Sequence, residues 1–262
     1  MQLIRALLIA ATIIVLLSGF SVFFGSRKQE KKSAKFFLLA ALGAATWTIA
    51  VMIALDMPWA SSEFVRFIVT CIIGSITICD VGLLAFFSYG YAGGKTLTSL
   101  FAFGGAILVA LLAYDPSLFY SSYDLSNGYV QLYTEQSWHF YVLIAYFFLI
   151  SITFSSYLIR RIEDTTNPGL KNGLKILLCG LSIGGILALL FDLVFLTTLP
   201  TLTWIGPLAT VVSILSFYYS VVKYHTLDVS SKWMKAMSSV ILVGTAVIVY
   251  LTVFYVITRF TN

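Results

Sequence analysis

The sequence predicts an all-α fold, a polytopic membrane bundle of eight helices, on three observations. Sixty per cent of the 262 residues are hydrophobic and only 10% are charged, with a mean hydropathy of +0.96; a soluble domain carries about 25% charged residues. Apolar runs close to the ~20 residues needed to cross a hydrocarbon core recur along the whole chain. Lysine and arginine fall mainly in alternate connections between those runs, the pattern that sets orientation in a membrane.

Taken in order, the first span covers 3–24. Arg5 ahead of an apolar stretch also suits a signal peptide, but no convincing small-residue cleavage site follows, and the cationic cluster lies after the run. It is read as a retained helix. The second span, 36–56, is rich in small residues around Trp47 and ends on Asp56; the third, 64–91, holds Thr77 and Asp80; the fourth covers 97–113. The fifth, 138–159, opens on Trp138 and His139, and the sixth, 174–198, carries Gly180, Gly184 and Asp192. The seventh, 202–222, has Trp204 and Pro207 near its start, where a missing N–H is tolerated. The eighth covers 236–258. Pro58, Pro116, Pro168 and Pro200 are placed in connections.

Thirteen of the sixteen basic residues then share one side: Arg27, Lys28, Lys31, Lys32, Lys35, Lys95, Arg160, Arg161, Lys171, Lys175, Lys223, Lys232 and Lys235. Only Arg5, Arg66 and Arg259 lie opposite. The positive-inside bias puts the thirteen in the cytoplasm of a cell or inner membrane and both termini outside. A net charge of +5 that is scattered among loops, not gathered on one face, argues against nucleic acid. Cys71, Cys79 and Cys179 all fall in apolar segments, so neither a disulfide framework nor a zinc site is expected; they are read as buried thiols.

The outer loop from Tyr114 to Trp138 is rich in tyrosine and has no lysine or arginine. Asn127-Gly128 predicts a two-residue hairpin turn that sets Ser126 opposite Tyr129, Leu125 opposite Val130 and Tyr123 opposite Leu132. The resulting apolar face either packs on the helix ends with its tyrosines at the interface or roofs a ligand site.

Enzyme signatures are absent: there is no phosphate-cradling glycine loop with its lysine, no GxSxG elbow and no HExxH helix. His139 and His225 fall on opposite sides of the membrane, so a multi-histidine metal site is not expected, nor is any cofactor. A retinal pump needs a lysine deep in a helix, whereas Lys223 is at a span's end. Catalysis is not expected. Two intramembrane acids stand out, Asp80 and Asp192. Each costs about 2.5–3.5 kcal/mol if charged at mid-helix, so each should face protein or water. Asp192 continues the i+4 series Gly180, Gly184, Ala188 and lies level with Asp56, His139 and Trp204, which together form a candidate outward-open ligand pocket. The alternative for both acids is structural packing. Asp80 shares a helical face with Thr77 and lies about 24 Å from the outer end of its span, against about 9 Å for Asp192, so a direct pair is not expected. The Gly180/Gly184 pair is read as an internal helix contact, with a homodimer seam left open.

The segment from Pro207-Leu208-Ala209 through Tyr218-Tyr219 to Lys223-Tyr224-His225-Thr226-Leu227-Asp228-Val229 resembles the end of the seven-helix input region found N-terminal to many microbial sensor histidine kinases and some diguanylate cyclases. His225 and Thr226 depart modestly from that family's basic-Tyr-basic-Leu-Leu-Asp-Ile-like exit. Trp47, the hairpin-prone loop, and Lys171 and Lys175 ahead of the sixth span agree with the resemblance. It implies a sensory unit over 1–230 whose last helix passes movement through Pro207, Lys223, Tyr224, Leu227 and Asp228 to a cytoplasmic output. Residues 231–262 then form a cytoplasmic turn and an additional membrane helix, a departure from the family, and the chain is either a fragment or a freestanding receptor.

The sequence is therefore read as a sensory module that binds an outer-side or membrane ligand and signals to a partner. Membrane lipids and a separate histidine kinase or cyclase are the expected partners. A small-solute or proton-coupled transporter is the first alternative, resting on Asp80 and Asp192, though no repeated pair of broken helices is evident. A structural subunit of a membrane complex is the second.

Overall fold

The computed structural model describes residues 2–26, 31–55, 61–88, 94–115, 118–119, 122–124, 131–133, 138–191, 204–224 and, near the C-terminus, 241, 243–244, 246–247 and 250–251. Among these residues the chain forms α1 (Gln2–Gly25), α2 (Lys31–Ala54), α3 (Ser62–Ser88), α4 (Gly94–Tyr114), α5 (Trp138–Asp164), α6 (Pro168–Leu189) and α7 (Ile205–Tyr224). The first six are long and apolar enough to cross a membrane, and α7 carries a shorter apolar stretch, Ile205–Val221. A helix satisfies every backbone group within its own segment, which is why such runs fold as helices in lipid. The hydroxyls they contain turn inward as well. Thr12, Ser18, Thr48, Thr70 and Thr77 each donate to the carbonyl four residues back, at 2.8–2.9 Å.

α2 packs between α1 and α3, α7 lies against α6, α1 and α2, and α5 joins α3 to α6. The core where α2, α3 and α7 meet is aromatic: Phe37 stacks on Phe217 with centroids 3.9 Å apart, and Phe86 meets Phe217 edge-on at 4.8 Å. α4 sits at the periphery, packed mainly on α3, and turns Leu100, Phe103 and Ile107 outward. Arg5 and Arg66, two of the three basic residues assigned to the outer side, donate to the carbonyls of Leu55 (3.3 Å) and Tyr114 (2.6 Å). Both acceptors lie at helix C-terminal ends, where a cation is favoured.

Three expectations need correction. Pro168 does not belong to a connection but opens α6, where its missing N–H would have had no helical partner in any case. The Asn167 side chain caps that end, accepting from the N–H of Gly169 at 2.9 Å and of Leu170 at 3.3 Å. α5 likewise runs on through Arg160 and Arg161, so the α5–α6 link is much shorter than the apolar runs suggested. Cys179 is exposed on the outside of the bundle, whereas Cys79 is buried and Cys71 is half-buried.

The hairpin is present in the predicted register: β1 (Ser122–Asp124) pairs antiparallel with β2 (Gln131–Tyr133), and Tyr123 is paired with Leu132. Its turn, with the Ser126/Tyr129 and Leu125/Val130 pairs, lies outside the described residues. Within the eighth predicted span, the described residues are helical; Ile241 is fully buried and Gly244 faces Ile14 of α1.

Candidate functional site

Beyond Glu63 and Arg66 in its first turns α3 is apolar apart from a few hydroxyls, yet it holds Asp80 within its span. Asp80 is half-buried, and among the described residues it has no hydrogen bond and no ion pair. Instead it opens on a cavity of about 40 Å³ inside the bundle, room for about three waters at ~10–15 Å³ each. Five helices wall it: α2 through Trp47, α3 through Cys79 and Asp80, α5 through Ser151 and Phe154, α6 through Gly184, Gly185 and Ala188, and α7 through Thr210 and Ser213.

Trp47 is 2% exposed, and its indole N–H has no partner among the described residues. A buried donor left unpaired costs about 1–3 kcal/mol, so the Trp47 N–H is costly for packing alone, and the half-buried Asp80 carboxylate opens on the same wall. Chemically, the cavity combines a negative or protonated acid, an indole donor and three hydroxyls within apolar surroundings. That set suits a small molecule with one or two polar atoms, or a few waters carrying a proton.

The cavity's wall on α6 and α7 is a close seam. A Cβ added at Gly180 would meet Ser216, and one at Gly184 would meet Ser213 and lie 2.8 Å from the backbone oxygen of Ala209. Ser213 donates to the Gly180 carbonyl at 3.3 Å, and Ser220 to the Gly173 carbonyl at 2.9 Å. The GxxxG pair is thus an internal contact, as its spacing suggested.

The predicted residues fall into separate places. Thr77 is buried, but its hydroxyl is taken by the Ile73 carbonyl, and its methyl lies beside Gly105 and Tyr146 where α3, α4 and α5 meet. There the Tyr146 hydroxyl donates to the Phe101 carbonyl at 2.8 Å. His139, in the first turn of α5, lies tilted against Trp138 (3.8 Å between centroids) and leans towards Phe119 (5.9 Å). Trp204 is buried ahead of α7, and Asp56 and Asp192 lie outside the described residues. Of the exit residues, Pro207 is buried near the start of α7, while the Lys223 ammonium at its far end donates to the Tyr219 hydroxyl at 2.6 Å and lies over the Tyr219 and Tyr224 rings. Leu227 and Asp228 lie outside the described residues.

Sequence reasoning did not pick out Ser151, Thr210 or Ser213, and it noted Trp47 only among small neighbours. The available signal was weak. The hydroxyls and the tryptophan sit on α2, α5 and α7, separate in sequence from Asp80 on α3 and from Gly184 and Gly185 on α6, and only folding brings them to one space.

No curated protein and no solved structure matches the chain. A family model does, over residues 6–230, nearly the whole extent assigned from the exit motif to a seven-helix unit. The family it describes is the N-terminal 7TM region of histidine kinase, and the chain, a multi-pass membrane protein, belongs to that family of membrane sensory input regions.

Proposed function

We propose that this input region binds a small ligand in the cavity around Asp80 and Trp47, and that occupancy is relayed by α7 to a histidine kinase or cyclase output. The supporting observation is the cavity wall itself: unpaired polar groups on α2 and α3 face hydroxyls on α7, the helix that leads to the Lys223–Tyr224 exit. A ligand that satisfies those groups pulls on α7 directly. Asp192 follows Gly184 and Ala188, both cavity residues, in the same i+4 row, and is assigned to the outer mouth with His139, Asp56 and Trp204. In this reading residues 1–230 are the sensory unit, which itself does no catalysis, residues 231–262 add a turn and a further membrane helix, and the N-terminus is outside.

Thermal unfolding of the full chain in lipid nanodiscs, titrated with short-chain alcohols, amides and lactones, tests this. Wild type should be stabilised by members of one class, and Asp80→Asn and Trp47→Phe should not. Equal shifts in wild type and both variants would remove the cavity as the ligand site, and an equal shift in Asp192→Ala would remove Asp192. The unpaired Asp80 also favours a second reading, proton-coupled transport. Substrate-dependent flux into proteoliposomes that Asp80→Asn abolishes would establish it over the sensor.

A further inference from the structure

A second space lies on the opposite flank of α3, away from the polar cavity, where α2 and α4 each pack on α3 and leave a groove between them. We propose that this groove binds one anionic phospholipid, with the phosphate held by Lys32, Lys35 and Lys95 and an acyl chain laid on Phe36, Leu39 and Ala102. The groove encloses about 560 Å³. Its residues follow helical stripes. Lys32, Lys35, Phe36 and Leu39 line one wall on α2; Val81, Ala85 and Ser88 form the floor on α3; and Lys95, Thr98, Ser99 and Ala102 line the other wall on α4. On each wall the chemistry runs in the same order, lysine at the helix start and apolar side chains a further seven residues in, about 10 Å deeper at ~1.5 Å per residue.

That order is the order of a lipid, charged at the membrane edge and apolar below. All three lysines are exposed, and no carboxylate lines the groove among the described residues. The starts of α2 and α4 also bring helix N-terminal partial charges of the same sign. Of the three hydroxyls in the groove, two are already committed, Ser88 to Thr98 at 2.8 Å and Thr98 to the Gly94 carbonyl at 2.8 Å, which leaves Ser99 as the one to meet a second polar group. A free phosphate would use the lysines but leave the apolar walls empty. A bound lipid fills them and ties the peripheral α4 to α2.

The full chain in nanodiscs or mild detergent, examined by native mass spectrometry with phosphatidylglycerol and phosphatidylcholine, provides the test. Wild type should retain one phosphatidylglycerol with about 100-fold preference, which is ~3 kcal/mol from three lysines at about 1 kcal/mol each. Replacing Lys32, Lys35 and Lys95 together by Gln should abolish the preference, while the same charge change at Arg160, Lys171 and Lys175 should leave it. Ala102→Trp, which fills the groove and keeps the lysines, should lower retention of the lipid. Equal losses in the two triple variants would overturn the proposal, as would equal retention of the two lipids or displacement of the lipid by inorganic phosphate at comparable concentration.

Discussion

The seam between α6 and α7 has no room for an added atom at Gly184, and Gly184→Ala probes it with a single methyl. The new Cβ would lie 2.8 Å from the Ala209 carbonyl oxygen and against Ser213. The oxygen belongs to the backbone of α7 and cannot rotate away, so the helices must part by about 0.7 Å to restore a contact of ~3.5 Å. A gap of that size forfeits roughly a quarter to a half of each ~0.1–0.2 kcal/mol contact, and a stretch of seam with the ~40–60 atom pairs of one buried leucine then gives up about 3 kcal/mol. Overpacked cores typically lose about 1–3 kcal/mol. Gly185 is the internal control, because a Cβ there meets nothing within 4 Å. Gly185→Ala should be neutral, or stabilising by up to about 1 kcal/mol through helix propensity. Reversible unfolding by sodium dodecyl sulfate in mixed micelles reads both. A Gly184→Ala protein within about 0.5 kcal/mol of wild type, or a Gly185→Ala protein as unstable as it, refutes the seam.

Three further substitutions probe other parts of the bundle. Tyr146→Phe removes the bond to the Phe101 carbonyl that ties α5 to α4, and should cost about 0.6–1.7 kcal/mol in the same assay; no change would mean that the hydroxyl is as well served without α4. Asn167→Ala uncaps α6, with an expected cost of about 1 kcal/mol that Asn167→Asp should largely avoid. Asp80→Asn relieves a carboxylate with no partner among the described residues and should raise unfolding stability by about 1–2 kcal/mol. A destabilised Asp80→Asn protein would instead show the acid to be a packing element.

What the sequence revealed followed from how local each feature is. Length and hydropathy suffice for a membrane helix, so α1 to α6 were legible from composition alone, and the Asn127-Gly128 dipeptide was enough to put Tyr123 opposite Leu132. Gly180 and Gly184 signalled a close contact because only small residues permit one. Helix ends were less legible. Hydropathy fades at Arg160, yet α5 runs on to Asp164 because a backbone leaving the membrane can stay helical in water, and Pro168 looks like a breaker until Asn167 is seen to cap it. The cavity was legible only in part. Asp80 declares itself as an acid among apolar residues, but Trp47, Ser151, Thr210 and Ser213 come from three other helices, and nothing in their own neighbourhoods marks them as sharing a space. Cys179 misled for the same reason: an apolar neighbourhood says lipid or protein, not which.

The serine bonds across α6 and α7 also limit how the bundle can move. Ser213 reaches Gly180 and Ser220 reaches Gly173, two rungs seven residues apart on each helix. A piston stroke of α7 alone, even by one ~1.5 Å residue rise, would break both rungs together and drive a serine out of its glycine notch. The rungs therefore favour a movement that carries α6 and α7 together. Their give lies on the other side, where Phe217 of α7 rides on the flat face of Phe37, a contact between rings that can slide without breaking a hydrogen bond.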